Sequence, residues 1–178
     1  NNFLIMKFLV IVTSLILFII NPIKAIDLKI VYIDTDKILN ESNVGKEIKK
    51  QLDSINKKNV SKFKKIEKEL VEEEKKISQQ KNILSKEELE KKIKVLQEKA
   101  IKFNNDVKIN KNDLIKKNKN ATEKILISLN SILSDYASKN SIHIILQKKH
   151  IVIGREDLDI TNKILDTVNQ KIKNIKLQ

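Results

Sequence analysis

Cysteine is absent from the 178 residues, which excludes a disulfide framework, a thiolate metal site and a cysteine nucleophile. Proline occurs once, at Pro22, and glycine twice, at Gly45 and Gly154. With so few breakers, very long helices are open to the middle of the chain. Two isolated glycines cannot form a phosphate-cradling loop, and no Gly-x-Ser-x-Gly occurs. Aromatics amount to 4% and tryptophan is missing, so no large conventional core is available. The same scarcity removes the stacking platforms that a nucleic-acid-binding protein uses, despite the basic composition. Only two histidines occur, His143 and His150. They lack a third ligand at metal-like spacing, so no metal or other cofactor is expected. Glu72-Glu73-Glu74 reads as a solvated charge run rather than acid–base machinery, and no residue set supports an enzyme.

What is present begins with an amino-terminal apolar run. Met6 is the single methionine, so residues 1–5 read as upstream read-through. Lys7 precedes Phe8–Ile20, a run interrupted only by Thr13 and Ser14 and shorter than the roughly 20 residues of a membrane span. Pro22 and the small Ala25 complete the anatomy of a secretory signal peptide over residues 1–25. An uncleaved signal anchor is the alternative. Residues 26–178 then suit one secreted domain.

Net charge is +13, and its placement is uneven. Between Val44 and Asn140 stand 25 basic and 15 acidic residues. Such a run reads as a solvated helix face or as a field that attracts acidic partners.

Periodicity divides the chain. Leu28–Asp34 alternates and is rich in β-branched residues, which predicts a strand. A brief helix follows within Thr35–Asn43, with Thr35 or Asp36 as candidate cap. From Val44 the apolar positions Val44, Ile48, Leu52, Ile55, Phe63, Ile66, Leu70 and Ile77 fall mostly three or four apart, with Asn59 interrupting. The pattern fades over Ser78–Asn82, the expected turn. Ser85 then precedes Glu87-Glu88, an N-cap with acids in the first turn. Leu89, Ile93, Leu96, Ala100, Phe103 and Val107 are spaced 4, 3, 4, 3, 4, and Leu114 to Tyr136 extend the stripe past Asn110 and Lys117. Narrow stripes of this kind bury against one partner helix. Residues 44–140 are therefore expected to form an antiparallel helical hairpin, a long thin arm.

Residues 26–43 and 141–178 are left to form a β/α base for it. Ile142–Leu146 and Ile151–Ile153 read as a strand hairpin around Gln147–His150, closed by Gly154. Asp157 or Asp159 opens a last helix whose face is Ile160, Ile164, Leu165, Val168 and Ile172. Three short strands give little core and leave two edges, which predicts closure by self-association. The base candidates are Ile30, Tyr32, Ile142, Ile144, Ile151 and Ile153.

In order and spacing the chain resembles the Skp/OmpH family of periplasmic chaperones. The residues that carry this are Ile30–Asp34 running into Lys37–Ser42 and Gly45-Lys46, the Lys/Glu-rich middle, Ile142–Leu146, and Asp159-Ile160-Thr161 opening the final helix. The resemblance implies a homotrimer whose bases combine, with three helical arms enclosing a cavity. It further implies an ATP-independent holdase for unfolded outer-membrane β-barrel proteins. The residues themselves suggest where clients would touch: the apolar Val71, Ile101, Ile109 and Ile115 beside the seam, with Lys99, Lys102, Lys108 and Lys111 around them. Weak contact with anionic lipid is compatible with the basic arms; a nucleic-acid partner is not expected. The competing reading is a structural coiled-coil envelope protein without client binding.

Overall fold

The computed structural model describes residues 28–177; the expected signal segment lies outside them. The order is β1 (Ile30–Ile33), α1 (Thr35–Glu41), α2 (Asn43–Gln80), α3 (Lys86–Lys139), β2 (Ile144–Gln147) and α4 (Thr161–Lys171). Single 3-10 turns occupy Lys148–His150 and Glu156–Leu158. The architecture is α+β, a small strand pair at the base of a long helical hairpin.

α2 and α3 run 38 and 54 residues, about 57 and 81 Å at the α-helical rise. Their stripes meet edge-on at Phe63 and Phe103, with ring centroids 5.9 Å apart at 78°. Nearer the tip, Lys99 Nζ reaches Glu73 at 2.7 Å and Lys92 Nζ donates to Gln80 at 2.9 Å. These contacts fix the antiparallel register. Asn59 on α2, and Asn110 and Lys117 on α3, are half-buried in the seam, polar interruptions that weaken it locally. The reversal falls later than the polar stretch suggested. α2 continues to Gln80, whose carbonyl accepts from Ile83 and Leu84 at 3.0 and 3.1 Å. A capping box follows: Ser85 Oγ accepts from the Glu88 N–H, and the Glu88 carboxylate accepts from the Ser85 N–H. The Ser85 hydroxyl also donates to that carboxylate at 2.7 Å, and this bond, with that of the Ser85 N–H, holds the Glu88 carboxyl below its usual range.

The extra length of α3 runs into the base. Ala121, Ile125, Leu129 and Ile132 pack there with Val44 and Ile48 of α2, Val31 and Ile33 of β1, Ile38 of α1, and Ile160, Ile164, Val168 and Ile172 at the carboxyl end. The core is therefore built where the arm roots enter the base, not between strands alone. Gly45 permits the tightest approach: a Cβ there would overlap the Leu39 carbonyl oxygen. Ser42, fully buried, caps α2 by accepting the Gly45 N–H at 3.1 Å.

β1 and β2 pair in parallel, Ile30 opposite Ile144 through Ile33 opposite Gln147. The expected third strand does not form. Lys148–His150 tightens into a 3-10 turn, and the chain bends at Val152 and Ile153, which are 98% and 91% exposed. Tyr32 explains the path. Its hydroxyl donates to the Arg155 carbonyl at 3.1 Å, and Gly154 lies against its ring. The Tyr32 carbonyl accepts from Ile160 at 3.0 Å, next to a parallel bridge with Asp159. The second side of β1 is thus met by the approach to α4, leaving no place for a hairpin strand. Two caps also differ from expectation. Asp34 caps α1, accepting the Lys37 N–H at 2.8 Å. α4 starts from Ile160 without a side-chain cap, while Asp159 accepts the Thr161 N–H at 2.9 Å.

Candidate functional site

The arm offers an interrupted apolar surface. Val71, Ile101, Ile109 and Ile115 are all exposed, each with about three-fifths of its surface open. Helical geometry sorts them. At about 100° per residue, positions seven apart lie within roughly 20° of one line. Ile101, Lys108 and Ile115 therefore share one line along α3, and Lys102, Ile109 and Lys116 share a second about 100° away. Every one of these six residues is exposed. Each line alternates an apolar and a cationic side chain at steps of about 10 Å. Val71 stands apart on the outer side of α2. There it shares a line with Val60, eleven residues earlier, which the periodicity had not singled out.

The lysines differ in how free they are. Lys99 is held by Glu73, so its charge is partly spent within the arm. Lys102 borders a shallow hollow of about 410 Å³ beside the seam, with Ile66, Leu70 and Phe103 as its apolar floor. Lys108 and Lys111 stand exposed. A denser basic patch lies at the arm root, where Lys46, Lys49, Lys50, Lys57 and Lys58 surround Asp53 and Ser54. The spacing of those lysines is visible in the chain, but only their common helical surface turns them into a patch.

At the base, the candidates divide again. Ile30, Ile144 and Ile153 are exposed, whereas Ile142 and Ile151 are half-buried and Tyr32 is buried. Leu146 adds a further open apolar side chain along β2. Around them, Lys148 pairs with Asp159 at 2.9 Å and lies 5.9 Å above the Tyr32 ring. Burial pushes the Asp159 carboxyl up, but hydrogen bonds from Thr161 and Lys148 outweigh it and hold the carboxyl below its ordinary range. The bond to Asp159 raises Lys148 in turn. Arg155 and Asp157 form a two-pronged pair at 2.8 and 2.9 Å. His143 Nδ1 accepts the Lys29 N–H at 3.1 Å, which gives that histidine a structural role. Among the described residues, no helix is long and apolar enough to cross a membrane.

A family model described as outer membrane protein (OmpH-like) matches residues 29–168. The chain belongs to the OmpH-like family. No curated protein matches it. Among solved structures, it is similar to a candidate outer membrane chaperone (OmpH-like) from Caulobacter crescentus CB15. The identity is 17%, over 84% of this chain and 88% of that one, with a TM-score of 0.78. At that identity the likeness establishes the fold, and it extends over base and arm together. The OmpH-like match stops at residue 168, short of the carboxyl-terminal segment that follows α4.

Proposed function

We propose that the protein is an ATP-independent holdase of the periplasm that keeps unfolded outer-membrane β-barrel proteins from aggregating before insertion. The observation that carries this reading is the pair of lines on α3, where exposed isoleucines alternate with lysines along an arm with a narrow core. Burying one such isoleucine yields at most about 1.5–3 kcal/mol, and each contact is therefore weak and reversible. Many of them along several arms hold a polypeptide without ordering it. The net positive charge of the arm adds long-range capture of acidic chains, which salt screens with a Debye length of about 8 Å at physiological strength.

Self-association as a trimer completes this reading. Ile30, Ile144, Leu146 and Ile153 leave apolar surface open at the base of a single subunit, and β2 retains an edge of the kind proteins normally cover. Weak contact of the basic arms with anionic lipid accompanies client binding in this proposal.

The test is light scattering of a urea-unfolded outer-membrane β-barrel protein, diluted without ATP in the presence or absence of residues 26–178. Suppressed aggregation near stoichiometric amounts, weakening with salt, is expected, together with a native mass of three subunits. Unchanged aggregation from a folded sample overturns the holdase reading in favour of a structural coiled coil. A native mass of one subunit overturns the trimer.

A further inference from the structure

Beyond α4 the chain becomes extended and turns along the root of the arm. Ile172, at φ −107° and ψ 99°, ends the helix and is buried in the core. Ile175 and Leu177 follow and pack against the same core. The path is set at both ends. Lys171 Nζ is bonded to Asp135 of α3 at 3.2 Å, and Leu177 lines a hollow with Lys117, Ala121 and Lys124 of the same helix. From Asp135 back to Ala121 is about 21 Å of helix, and six residues at full extension span about 20 Å. The tail therefore runs along α3, from its base end towards the arm.

Its chemistry matches its groove only in part. The apolar side chains Ile175 and Leu177 are half-buried. The tail's own Lys176, however, shares the hollow with Lys124 and with Lys117, which is paired to Asp113 at 3.7 Å, and Glu123 is the one carboxylate among its described lining residues. Like charges so placed weaken the fit. An extended segment with the same apolar spacing and acidic residues between would fit better.

We infer that the groove on α3 beneath residues 172–177 is a binding site for extended, apolar, acidic segments of client chains, and that the tail is its built-in, displaceable occupant. This rests on the holdase reading and assigns one of its contact sites. Because the tail is tethered, it competes at an effective concentration on the millimolar scale, so only segments that bind better, or that are held by the arms already, displace it. The groove thereby selects against short basic peptides and in favour of clients engaged elsewhere on the arm.

The experiment uses fluorescence anisotropy of two labelled peptides with the sequence of residues 171–178, one unaltered and one with Lys173→Glu and Lys176→Glu. Each is titrated with the wild-type protein and with an Ile175→Ser/Leu177→Ser variant. The charge-reversed peptide is expected to bind the variant roughly tenfold more tightly than it binds the wild type, and more tightly than the unaltered peptide does. Equal binding of both peptides, or no gain in the variant, overturns the inference. If the double variant loses its helical circular dichroism, Leu177→Ser alone serves the same comparison. Light scattering separates the two claims. A wild type that suppresses aggregation while the tail variant does no better sinks the groove alone. Failure of both sinks the holdase reading, whereas the peptide titration still judges the groove.

Discussion

Replacing Gly45 by alanine sets two effects of opposite sign against each other. Gly45 lies in the first turn of α2, and alanine normally gains about 0.8–1.0 kcal/mol over glycine in a helix interior. Here the added Cβ would overlap the Leu39 carbonyl oxygen and lie 2.9 Å from its carbon and 3.1 Å from Ser42 Oγ. The first two obstacles are backbone, so no rotamer change relieves them, and α1 itself must move. α1 carries Ile38, which is fully buried, and its displacement also strains the Ser42 cap. Overpacking costs about 1–3 kcal/mol, and a weakened cap about 1 kcal/mol more. The sum favours a net loss of about 2 kcal/mol. For a chain of this size that lowers Tm by about 4–8 °C. Thermal melts followed by circular dichroism check it, with the exposed Ser54→Ala on the same helix as a propensity control. A Gly45→Ala protein that melts at or above the wild-type temperature would refute the close-approach argument.

Two further outcomes follow from the seam and the base. Asn59→Leu replaces a half-buried polar group in the α2 stripe, and should stabilise the arm by about 1 kcal/mol. Hydrogen exchange of amides 55–66 should then slow by about fivefold, whereas unchanged rates would mean that Asn59 is already satisfied in the seam. Asp159, whose carboxyl is held low in the folded state, contributes stability that is present above the ordinary aspartate value near pH 4 and disappears as pH falls through its depressed folded value. The gap in Tm between wild type and Asp159→Asn should therefore be wide at pH 6 and narrow towards pH 3; a constant gap would remove Asp159 from the acid response.

The arm was legible because its signal is one-dimensional. A 4, 3, 4, 3, 4 spacing of Leu89 to Val107 specifies a single buried line, and the partner line on α2 makes the pairing unavoidable. The strands were legible as segments but not as partners. Ile142–Leu146 and Ile151–Ile153 have the same β-branched character, yet only the first joins β1, because Tyr32 bonds to Arg155 and Ile160 and fills the other side. That choice depends on a ring and a hydroxyl more than a hundred residues from the segment they exclude. Ser85 caps α3 as expected, but the two caps at the base were misplaced for a related reason: Thr35, Asp36 and Asp157 are suitable residues one to three positions from the residue that opens the helix. Among the candidate contacts, the exposure of Ile101, Ile109 and Ile115 followed from their distance off the stripe, whereas Tyr32, expected as a base contact, is buried with its hydroxyl on the Arg155 carbonyl, a partner the sequence does not reveal. The tail beyond Lys171 was misleading rather than silent: Ile164, Val168, Ile172 and Ile175 are spaced 4, 4, 3, a helical pattern, yet the helix stops at Lys171 and the tail packs as a non-helical strip.

The parallel pairing of β1 with β2 also dictates an order of events in folding. Ile30 lies opposite Ile144, so the ladder joins points 114 residues apart, and a loop of that length is entropically costly to close in an unstructured chain. Parallel strands always require a crossover, and here the crossover is the arm itself. Zipping α2 onto α3 uses neighbours brought together by one turn at Gln80–Ser85, and each step shortens the gap between the strands. The arm therefore acts as the closing device of the base. β1 is accordingly expected to pair late, and mutations that weaken the distal seam should slow refolding of a sheet they never touch, a change that stopped-flow refolding would read.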